Sequence, residues 1–150
     1  RISQDYDQRS LVMVGILNGA VVFLSDLIRH INVPAEIDFI AVRSYDKGTE
    51  SSGQVRIIMD VETPITARHV ILVEDIVDTG RTLQTVREMF LARKPASLAV
   101  CVLLDKPERR VVDVQVDYTA FTIPNRFVVG YGLDSAGFFR NLDYIGVVES

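Results

Sequence analysis

The residues best suited to chemistry lie in one short stretch in the middle of the chain. Two adjacent acids, Glu74 and Asp75, follow an apolar run, and a polar turn begins three residues after them. Carboxylates in this position suit the hydroxyl groups of a sugar, or a Mg²⁺ ion that bridges to a pyrophosphate. The turn offers successive backbone N–H groups, two hydroxyls and a cation, which together favour phosphate binding. Its residues are Asp78, Thr79, Gly80, Arg81 and Thr82.

The flanking residues predict how the acids and the turn are held. Residues 70–73 are continuously apolar, which is typical of a strand buried on both faces of a parallel sheet. After the turn, Leu83, Val86, Met89 and Phe90 recur at a helical spacing. The stretch is therefore predicted to be a strand, a loop and a helix, with the loop at the positive end of the helix. It is not a Walker A loop, because no G-x-x-x-x-G-K-[ST] occurs.

This arrangement resembles the phosphoribosyl pyrophosphate signature of the type I phosphoribosyltransferases: an apolar strand, two acids, two apolar residues and then Asp-Thr-Gly-x-Thr. The resemblance extends over residues 12–148 and is strongest to the hypoxanthine-guanine branch. It implies an α/β fold with a mainly parallel twisted sheet, helices on both faces and a small hood, which we expect from the C-terminal region. It also implies a purine-salvage transferase that uses Mg²⁺. Such an enzyme converts hypoxanthine or guanine and phosphoribosyl pyrophosphate into IMP or GMP and pyrophosphate.

The resemblance assigns roles within the stretch. Asp78 matches the general base, or the partner of purine N7, and the turn from Asp78 to Thr82 matches the 5′-phosphate site. Glu74 and Asp75 match the residues that hold the ribose hydroxyls and Mg²⁺.

The purine site is expected from later segments that also match the family. Lys106 corresponds to the lysine that bonds the purine O6, although its neighbours suggest the exposed exit of a strand. Phe127 corresponds to the aromatic that stacks on the base, and the backbone of Val128 to the group that meets the base edge. Asp134 corresponds to a residue that supports the base edge or a second Mg²⁺.

The pyrophosphate site and a lid complete the assignments. The family has Leu-Lys-Gly-Gly after the first strand, with a non-proline cis peptide bond, whereas this chain has Asn18 in place of the usual Lys. Backbone donation from Asn18 and Gly19 is still expected, and Arg140 corresponds to a further pyrophosphate contact. Ser44 and Tyr45 match the Ser-Tyr pair of a loop over the site, and residues 46–53 have the composition of such a loop.

Periodicity predicts the remaining elements of a single domain spanning residues 1–150. Residues 1–8 have the pattern of a helix already under way, so residues are expected to be missing before Arg1. A helix is predicted over residues 21–31. Further strands are predicted over residues 11–17, 37–42, 54–59, 97–104, 116–123 and 144–148.

Composition limits the environment and the partners. A chain of 150 residues with a net charge of −4 gives no reason to expect nucleic-acid or membrane binding. The single cysteine, Cys101, lies in an apolar run and is expected to be a core thiol. With no signal peptide and no long apolar span, a reducing cytoplasm is the expected location. The family resemblance implies a homodimer or homotetramer.

Several alternatives stay open on the sequence alone. Orotate and uracil enzymes share the ribose-phosphate signature, but they do not account for Lys106 together with Phe127. RNA-binding regulators of the pyrimidine-operon type use the same fold, but they tend to lack an acid at the Asp78 position. A non-catalytic sensor of phosphoribosyl pyrophosphate or nucleotide is favoured slightly by Asn18. The ranking of hypoxanthine, guanine and xanthine is not predicted.

Overall fold

The computed structural model describes the backbone of residues 1–47 and 50–149, and the side chains of residues 1–44 and 54–149. No helix in this described part of the chain is long and apolar enough to cross a membrane. The helices are α1 (Ile2–Asp5), α2 (Val21–Ile28) and α3 (Arg81–Leu91), with a 3-10 turn at Pro107–Arg109. The strands are β1 (Leu11–Leu17), β2 (Ala35–Lys47), β3 (Glu50–Met59), β4 (His69–Val77), β5 (Ser97–Asp105), β6 (Tyr118–Thr122), β7 (Val128–Val129) and β8 (Gly146–Val147).

Six strands form one sheet in the order β3-β2-β1-β4-β5-β6. Every neighbouring pair is parallel except β2 and β3, which confirms the predicted fold class. The chain moves outward from β1 to β3 on one side and from β4 to β6 on the other. Open α/β sheets bind ligands beyond the carboxyl ends of their strands, at the point where the strand order reverses in this way. A ligand is therefore expected beside the residues that follow β1, β4 and β5.

The central strands are apolar throughout because both faces of the sheet are covered. Successive side chains of a strand point to opposite faces. Met13 and Ile71 accordingly belong to one buried cluster, which also contains Leu24 of α2. Val14 and Leu72 belong to a second cluster on the opposite face. The predicted strand with two buried faces is confirmed.

Helix α3 covers the second face and fixes the polar turn that precedes it. Leu83, Val86 and Phe90 are buried along one side of the helix, and each contributes roughly 1.5–3 kcal/mol relative to an exposed position. Gly80 precedes the first helical residue with a φ of 86°, a left-handed conformation that glycine adopts readily. No side chain caps the helix at this position. The polar turn itself therefore forms the N-terminus of α3.

A two-stranded antiparallel sheet of β7 and β8 forms the predicted hood, with Val128 paired to Val147. The chain between these strands makes a series of tight turns, and the Gly130 N–H donates to the carbonyl of Leu133 at 2.9 Å. The Tyr131 hydroxyl donates to the carboxylate of Asp26 on α2. This bond ties the hood to the helix that follows β1.

The element ends differ from the predictions. The first helix covers only Ile2–Asp5, and Gln8 has a φ of 59°, which a right-handed helix cannot contain. The second helix ends at Ile28 rather than at residue 31. Strands β2 and β3 are longer than predicted, because antiparallel pairing continues to Lys47 and Glu50.

Candidate active site

The polar turn after β4 encloses a small pocket at the N-terminus of α3. The pocket has a volume of about 110 Å³. Four of the five predicted phosphate-binding residues line it, and Arg81 does not. The pocket residues are Glu74, Ile76, Val77, Asp78, Thr79, Gly80, Thr82 and Leu83. Backbone amides, hydroxyls and a helix N-terminus at this site favour an anion such as phosphate.

The two acids, Glu74 and Asp75, lie at the entrance to this turn. The Asp75 N–H donates to Glu74 Oε1 at 3.1 Å, and the Ile76 N–H donates to Asp75 Oδ1 at 2.8 Å. Burial raises the pKa of Glu74 well above its ordinary range, and the nearby Asp75 carboxylate raises it further. A cation or a hydroxyl donor beside this pair would favour the ionised form of Glu74.

A second cavity, of about 170 Å³, lies next to the pocket of the polar turn, which is the predicted phosphate pocket. All four predicted purine-binding residues line it. Asp75, one of the two predicted ribose ligands, and Asp78, the predicted general base, line it as well. The cavity residues are Asp75, Ile76, Asp78, Lys106, Phe127, Val128, Leu133 and Asp134. Ile76 and Asp78 line both spaces. The structure therefore brings the predicted phosphate and purine residues together around one carboxylate.

The exposure of Lys106 differs from what its neighbours suggest, and Phe127 is exposed beside it. Lys106 is only 6% exposed, although the polar residues around it suggest a solvated loop. Its ammonium group forms no hydrogen bond or ion pair with the described residues. Phe127 is 54% exposed at the edge of the cavity, so it is not a core aromatic. A largely buried cation without a partner favours a ligand that brings an acceptor to it.

Asp78 is in contact with a residue that the sequence did not single out. Arg109 Nε lies 3.0 Å from Asp78 Oδ1 and forms an ion pair with it. The same oxygen is buried, and no hydrogen bond of good geometry reaches it from the described residues. The side chain as a whole is 41% exposed, so the rest of the carboxylate can accept a proton or an N–H group of a ligand.

Asp134 and Arg140 are held together in the hood. Arg140 Nη2 lies 3.1 Å from Asp134 Oδ1, and Arg140 Nη1 donates to the carbonyl of Gly132 at 2.6 Å. The Gly137 N–H donates to the other Asp134 oxygen at 2.7 Å. Both predicted ligands therefore have fixed positions on one loop.

Residues after β1 meet this loop and the acids. The Leu17–Asn18 peptide bond is cis, as the family resemblance implies. A β-carbon on Gly132 would lie 2.3 Å from the carbonyl oxygen of Gly19. The hood loop therefore packs directly on the backbone of the predicted pyrophosphate site.

One of the two predicted lid residues contacts the polar turn. Ser44 Oγ lies 3.1 Å from Thr82 Oγ1. The side chain of its partner, Tyr45, lies outside the described residues, as do the side chains of the predicted loop over residues 46–53. Of the side chains in the predicted lid, that of Ser44 is described, and it contacts the first turn of α3.

The predicted metal ligands Glu74, Asp75 and Asp134 do not form one cluster. Among the side chains that the structure describes, no three His, Cys, Asp or Glu residues are placed to hold an ion between them. Mg²⁺ is commonly bound by one or two carboxylates, with waters and substrate phosphates as its other ligands. Adjacent Glu74 and Asp75 fit that mode, whereas the Asp134 carboxylate is already engaged by Arg140 and Gly137.

Sequence reasoning missed six residues of the site. Four apolar residues line the cavities and lie in or beside the motifs that carried the resemblance: Ile76, Val77, Leu83 and Leu133. Arg109 and Arg110 contact the polar turn from a segment whose composition suggests the exposed exit of a strand. Their position three and four residues after Lys106 was the sequence feature that could have indicated a place in the site.

Two larger cavities lie away from this site. Their volumes are about 330 and 410 Å³, and both are lined mainly by apolar residues around Phe23 and β6. None of the predicted site residues lines either cavity. The volume of a cavity therefore does not identify the candidate site, because its charged and polar residues line the two smaller cavities.

Comparison with known proteins extends the sequence evidence over nearly the whole chain. The phosphoribosyl transferase domain model matches residues 1–136. The hypoxanthine-guanine phosphoribosyltransferase of Streptococcus pneumoniae is 51% identical over 149 residues, which cover 99% of this chain and 83% of that protein. The enzyme of the same name from Streptococcus pyogenes is 48% identical over the same length.

Solved structures agree with the relatives. A hypoxanthine phosphoribosyltransferase from Staphylococcus aureus matches with a TM-score of 0.96 and 47% identity, over 99% of this chain and 80% of that one. These relatives and structures give no support to the sensor alternative or to a different base class. The chain belongs to the phosphoribosyl transferase family and, within it, to the hypoxanthine-guanine phosphoribosyltransferases.

Proposed function

We propose that the two adjoining cavities are the two halves of one active site for purine salvage. In the family reaction, a nitrogen of hypoxanthine or guanine attacks C1 of the ribose, the bond to pyrophosphate breaks, and IMP or GMP forms. The observation that carries the proposal is that Asp78 lines both the phosphate pocket and the purine cavity. A single carboxylate can therefore act on the base while its own turn holds the 5′-phosphate.

Asp78 is assigned the proton. The purine must lose one proton as it bonds to C1, and a carboxylate within reach of the base can accept it. The side chain of Asp78 is 41% exposed and lines the purine cavity, so its carboxylate is within reach of a bound base. Arg109 Nε lies 3.0 Å from the same carboxylate, and this ion pair helps to fix its position.

Lys106, Phe127, Val128 and Asp134 are assigned the purine. The ammonium of the buried Lys106 meets the electronegative O6 of a 6-oxopurine, which adenine lacks. The exposed ring of Phe127 offers a stacking surface, and Val128, the first residue of β7 in the hood, is buried beside it. This set supports a 6-oxopurine over other bases.

Glu74 and Asp75 are assigned the ribose hydroxyls. As pyrophosphate leaves, positive charge develops at C1 and the ring oxygen, and a nearby carboxylate stabilises it. Asp75 lines the purine cavity, whereas Glu74 lines the phosphate pocket. The two acids therefore border the space between base and phosphate, where the sugar must lie.

The leaving pyrophosphate is assigned to the backbone of Asn18 and Gly19 and to Arg140. These groups meet where the hood loop packs on Gly19. Glu74 and Asp75 supply the oxygen donors for Mg²⁺, which when bound neutralises charge on the pyrophosphate. Ser44 and Tyr45 begin the lid that excludes water from the activated ribose.

We also propose a reducing cytoplasm and a homodimer or homotetramer. The single cysteine is buried and free, which suits a reducing compartment. Phe121 and Tyr144 are exposed beside the larger apolar cavity and offer a surface for a second copy. Light scattering after size-exclusion chromatography measures the assembly directly.

The test of the function is nucleotide formation. The protein is mixed with Mg²⁺, phosphoribosyl pyrophosphate and, separately, hypoxanthine, guanine, xanthine, adenine and uracil. Rapid conversion of hypoxanthine and guanine, without conversion of adenine or uracil, is expected. Absence of turnover with every base, in the presence of Mg²⁺, would overturn the proposal.

A further inference from the structure

We propose that Arg110 is a positioning residue that orients the phosphate turn toward its ligand. The inference rests on the proposed function, because it assigns the turn to the 5′-phosphate. It concerns a residue outside both cavities, which touches no part of the expected substrate. Arg110 acts instead on the backbone that the substrate meets.

The guanidinium of Arg110 joins two elements of the site. Its Nε donates to the carbonyl oxygen of Asp78 at 3.2 Å, and its Nη2 forms an ion pair with the carboxylate of Asp105. The side chains of Arg110 and Asp105 are each only 20% exposed. A partly buried pair of this kind holds its geometry better than a surface pair does.

The next two residues hold the following peptide of the turn. The N–H groups of Val111 and Val112 both reach the carbonyl oxygen of Thr79, at 3.0 and 3.3 Å. Two successive carbonyls of the turn, those of Asp78 and Thr79, are therefore bonded from the segment that follows Lys106. This segment lies on the outer side of the turn.

Peptide geometry converts these contacts into an orientation. In a trans peptide unit the C=O and the next N–H point in opposite directions. Because the carbonyls of Asp78 and Thr79 point toward residues 110–112, the N–H groups of Thr79 and Gly80 point away from them. The phosphate pocket is lined by Thr79 and Gly80. Arg110 and the N–H groups of Val111 and Val112 together form a clamp on the turn. This clamp presents two backbone donors to a phosphate.

Arg110 also limits movement of the turn. A β-carbon on Gly80 would lie 2.9 Å from Arg110 Cδ and 3.0 Å from Val114 Cγ1. The stem of Arg110 therefore packs closely against the backbone at Gly80. The turn cannot move outward without displacing this side chain.

The other end of the clamp is the purine side of the site. Asp105 is the last residue of β5 and precedes Lys106, whose N–H donates to the carbonyl of Val77 at 3.0 Å. Arg110 thus fixes the phosphate turn relative to the strand end that carries the lysine assigned to the purine. A lysine in its place keeps the charge but loses the forked geometry that reaches two partners at once.

The test compares ligands with and without a 5′-phosphate. Arg110→Lys is expected to raise the Kd of IMP about tenfold or more while changing the Kd of inosine by less than twofold. In steady state it should raise the KM for phosphoribosyl pyrophosphate more than it lowers kcat. Arg93→Lys is the matched control, because Arg93 forms a bidentate pair with Asp60 that has no part in either cavity.

Asp105→Asn is the second variant and should show the same selective loss of IMP affinity. Equal losses of IMP and inosine affinity, or no loss of either, in variants that retain the wild-type circular dichroism spectrum would overturn the role of Arg110. A wild-type protein that forms no nucleotide would instead overturn the proposed function. The two failures are thereby distinguished.

Discussion

A β-carbon placed on Gly19 would lie 1.8 Å from Oδ2 of Asp75, so the backbone after β1 is in contact with the carboxylate at the end of β4. The other carboxylate oxygen of Asp75 accepts the Ile76 N–H at 2.8 Å. This contact joins the two strands at which the strand order of the sheet reverses. The expected pyrophosphate site and the expected ribose site thus share one boundary.

Gly19→Ala should therefore lower kcat/KM with fold retained. The added methyl group displaces the Asp75 carboxylate, and a misplacement of about 1 Å at a reacting centre can cost on the order of a hundredfold in rate. Steady-state kinetics with hypoxanthine measure the loss, and thermal unfolding reports the fold. Gly146→Ala in β8 is the control, since its nearest neighbour is an exposed tyrosine ring at 3.3 Å. Equal activity of the two variants would contradict the assigned role of this contact.

Asp78→Asn should lower kcat by roughly a hundredfold or more, the usual scale for a positioned acid-base group. The amide keeps the size of the side chain but accepts a proton far less readily. Rapid-quench measurement of nucleotide formation separates this step from product release. Asp7→Asn makes the same change of charge at an exposed position near the N-terminus and should have no effect. Near-normal turnover of Asp78→Asn would exclude the general-base role.

Lys106→Met should weaken purine binding while it leaves the stability of the protein nearly unchanged. Lys106 is 6% exposed but its ammonium nitrogen is not fully buried, so Tm is expected to change by less than about 2 °C. The same change removes the donor to O6, so the KM for hypoxanthine should rise tenfold or more. Calorimetry and steady-state kinetics measure the two effects on one preparation. Lys94→Met, at an exposed position, should change neither. A Lys106→Met variant that loses stability, or that binds hypoxanthine normally, would show that the ammonium has another function.

The central strands and the phosphate turn could be predicted because their information is local. The apolar run of residues 70–73, just before Glu74, predicts a strand buried on two faces, and Gly80 indicates the turn that precedes α3. The family resemblance then predicted the purine-binding residues, and the structure places three of them, Lys106, Phe127 and Val128, around one cavity. Local patterns were sufficient wherever the neighbours in sequence are also the neighbours that matter.

Contacts between distant segments could not be predicted in the same way. The polar residues around Lys106 indicate an exposed loop, but hood residues from Phe127 onward close over it and bury it. The contact of Arg109 with Asp78 joins residues from two different strand ends. The hairpin of β2 and β3 was predicted too short, because ladder pairing outweighs the turn-like composition of its tip. Tertiary partners decide each of these features.

Cys101 should react slowly with thiol reagents in the native state. It is 4% exposed, and burial raises the pKa of its thiol to about 12, so very little thiolate is present at pH 8. Reaction with Ellman's reagent should be slow in buffer and should release one equivalent per chain in guanidinium chloride. Rapid labelling of native protein would show that the adjoining 330 Å³ cavity admits the reagent.

Tyr131→Phe should destabilise the protein in a way that depends on pH. The hydrogen bond from Tyr131 lowers the pKa of Asp26, and the Arg29 guanidinium lowers it further. Burial and the Asp26 carboxylate raise the pKa of Tyr131 to about 12. The lowered carboxyl pKa contributes stability above the ordinary value of 3.8, which is lost as pH falls further. The raised phenol pKa contributes stability below 10.0, which is lost as pH rises to about 12.

The difference in stability between wild type and Tyr131→Phe should therefore be largest between about pH 5 and pH 9, and it should shrink above pH 10. Urea unfolding of both proteins across this range measures it. Tyr144→Phe is the control, because Tyr144 is exposed and its hydroxyl forms no hydrogen bond with the residues that the structure describes. Tyr131 also positions the loop that carries Asp134 and Arg140, so Tyr131→Phe should raise the KM for phosphoribosyl pyrophosphate over the same pH range. A stability difference that stays constant from pH 7 to pH 11 would mean that the ring of Tyr131, rather than its hydroxyl bond to Asp26, anchors the hood.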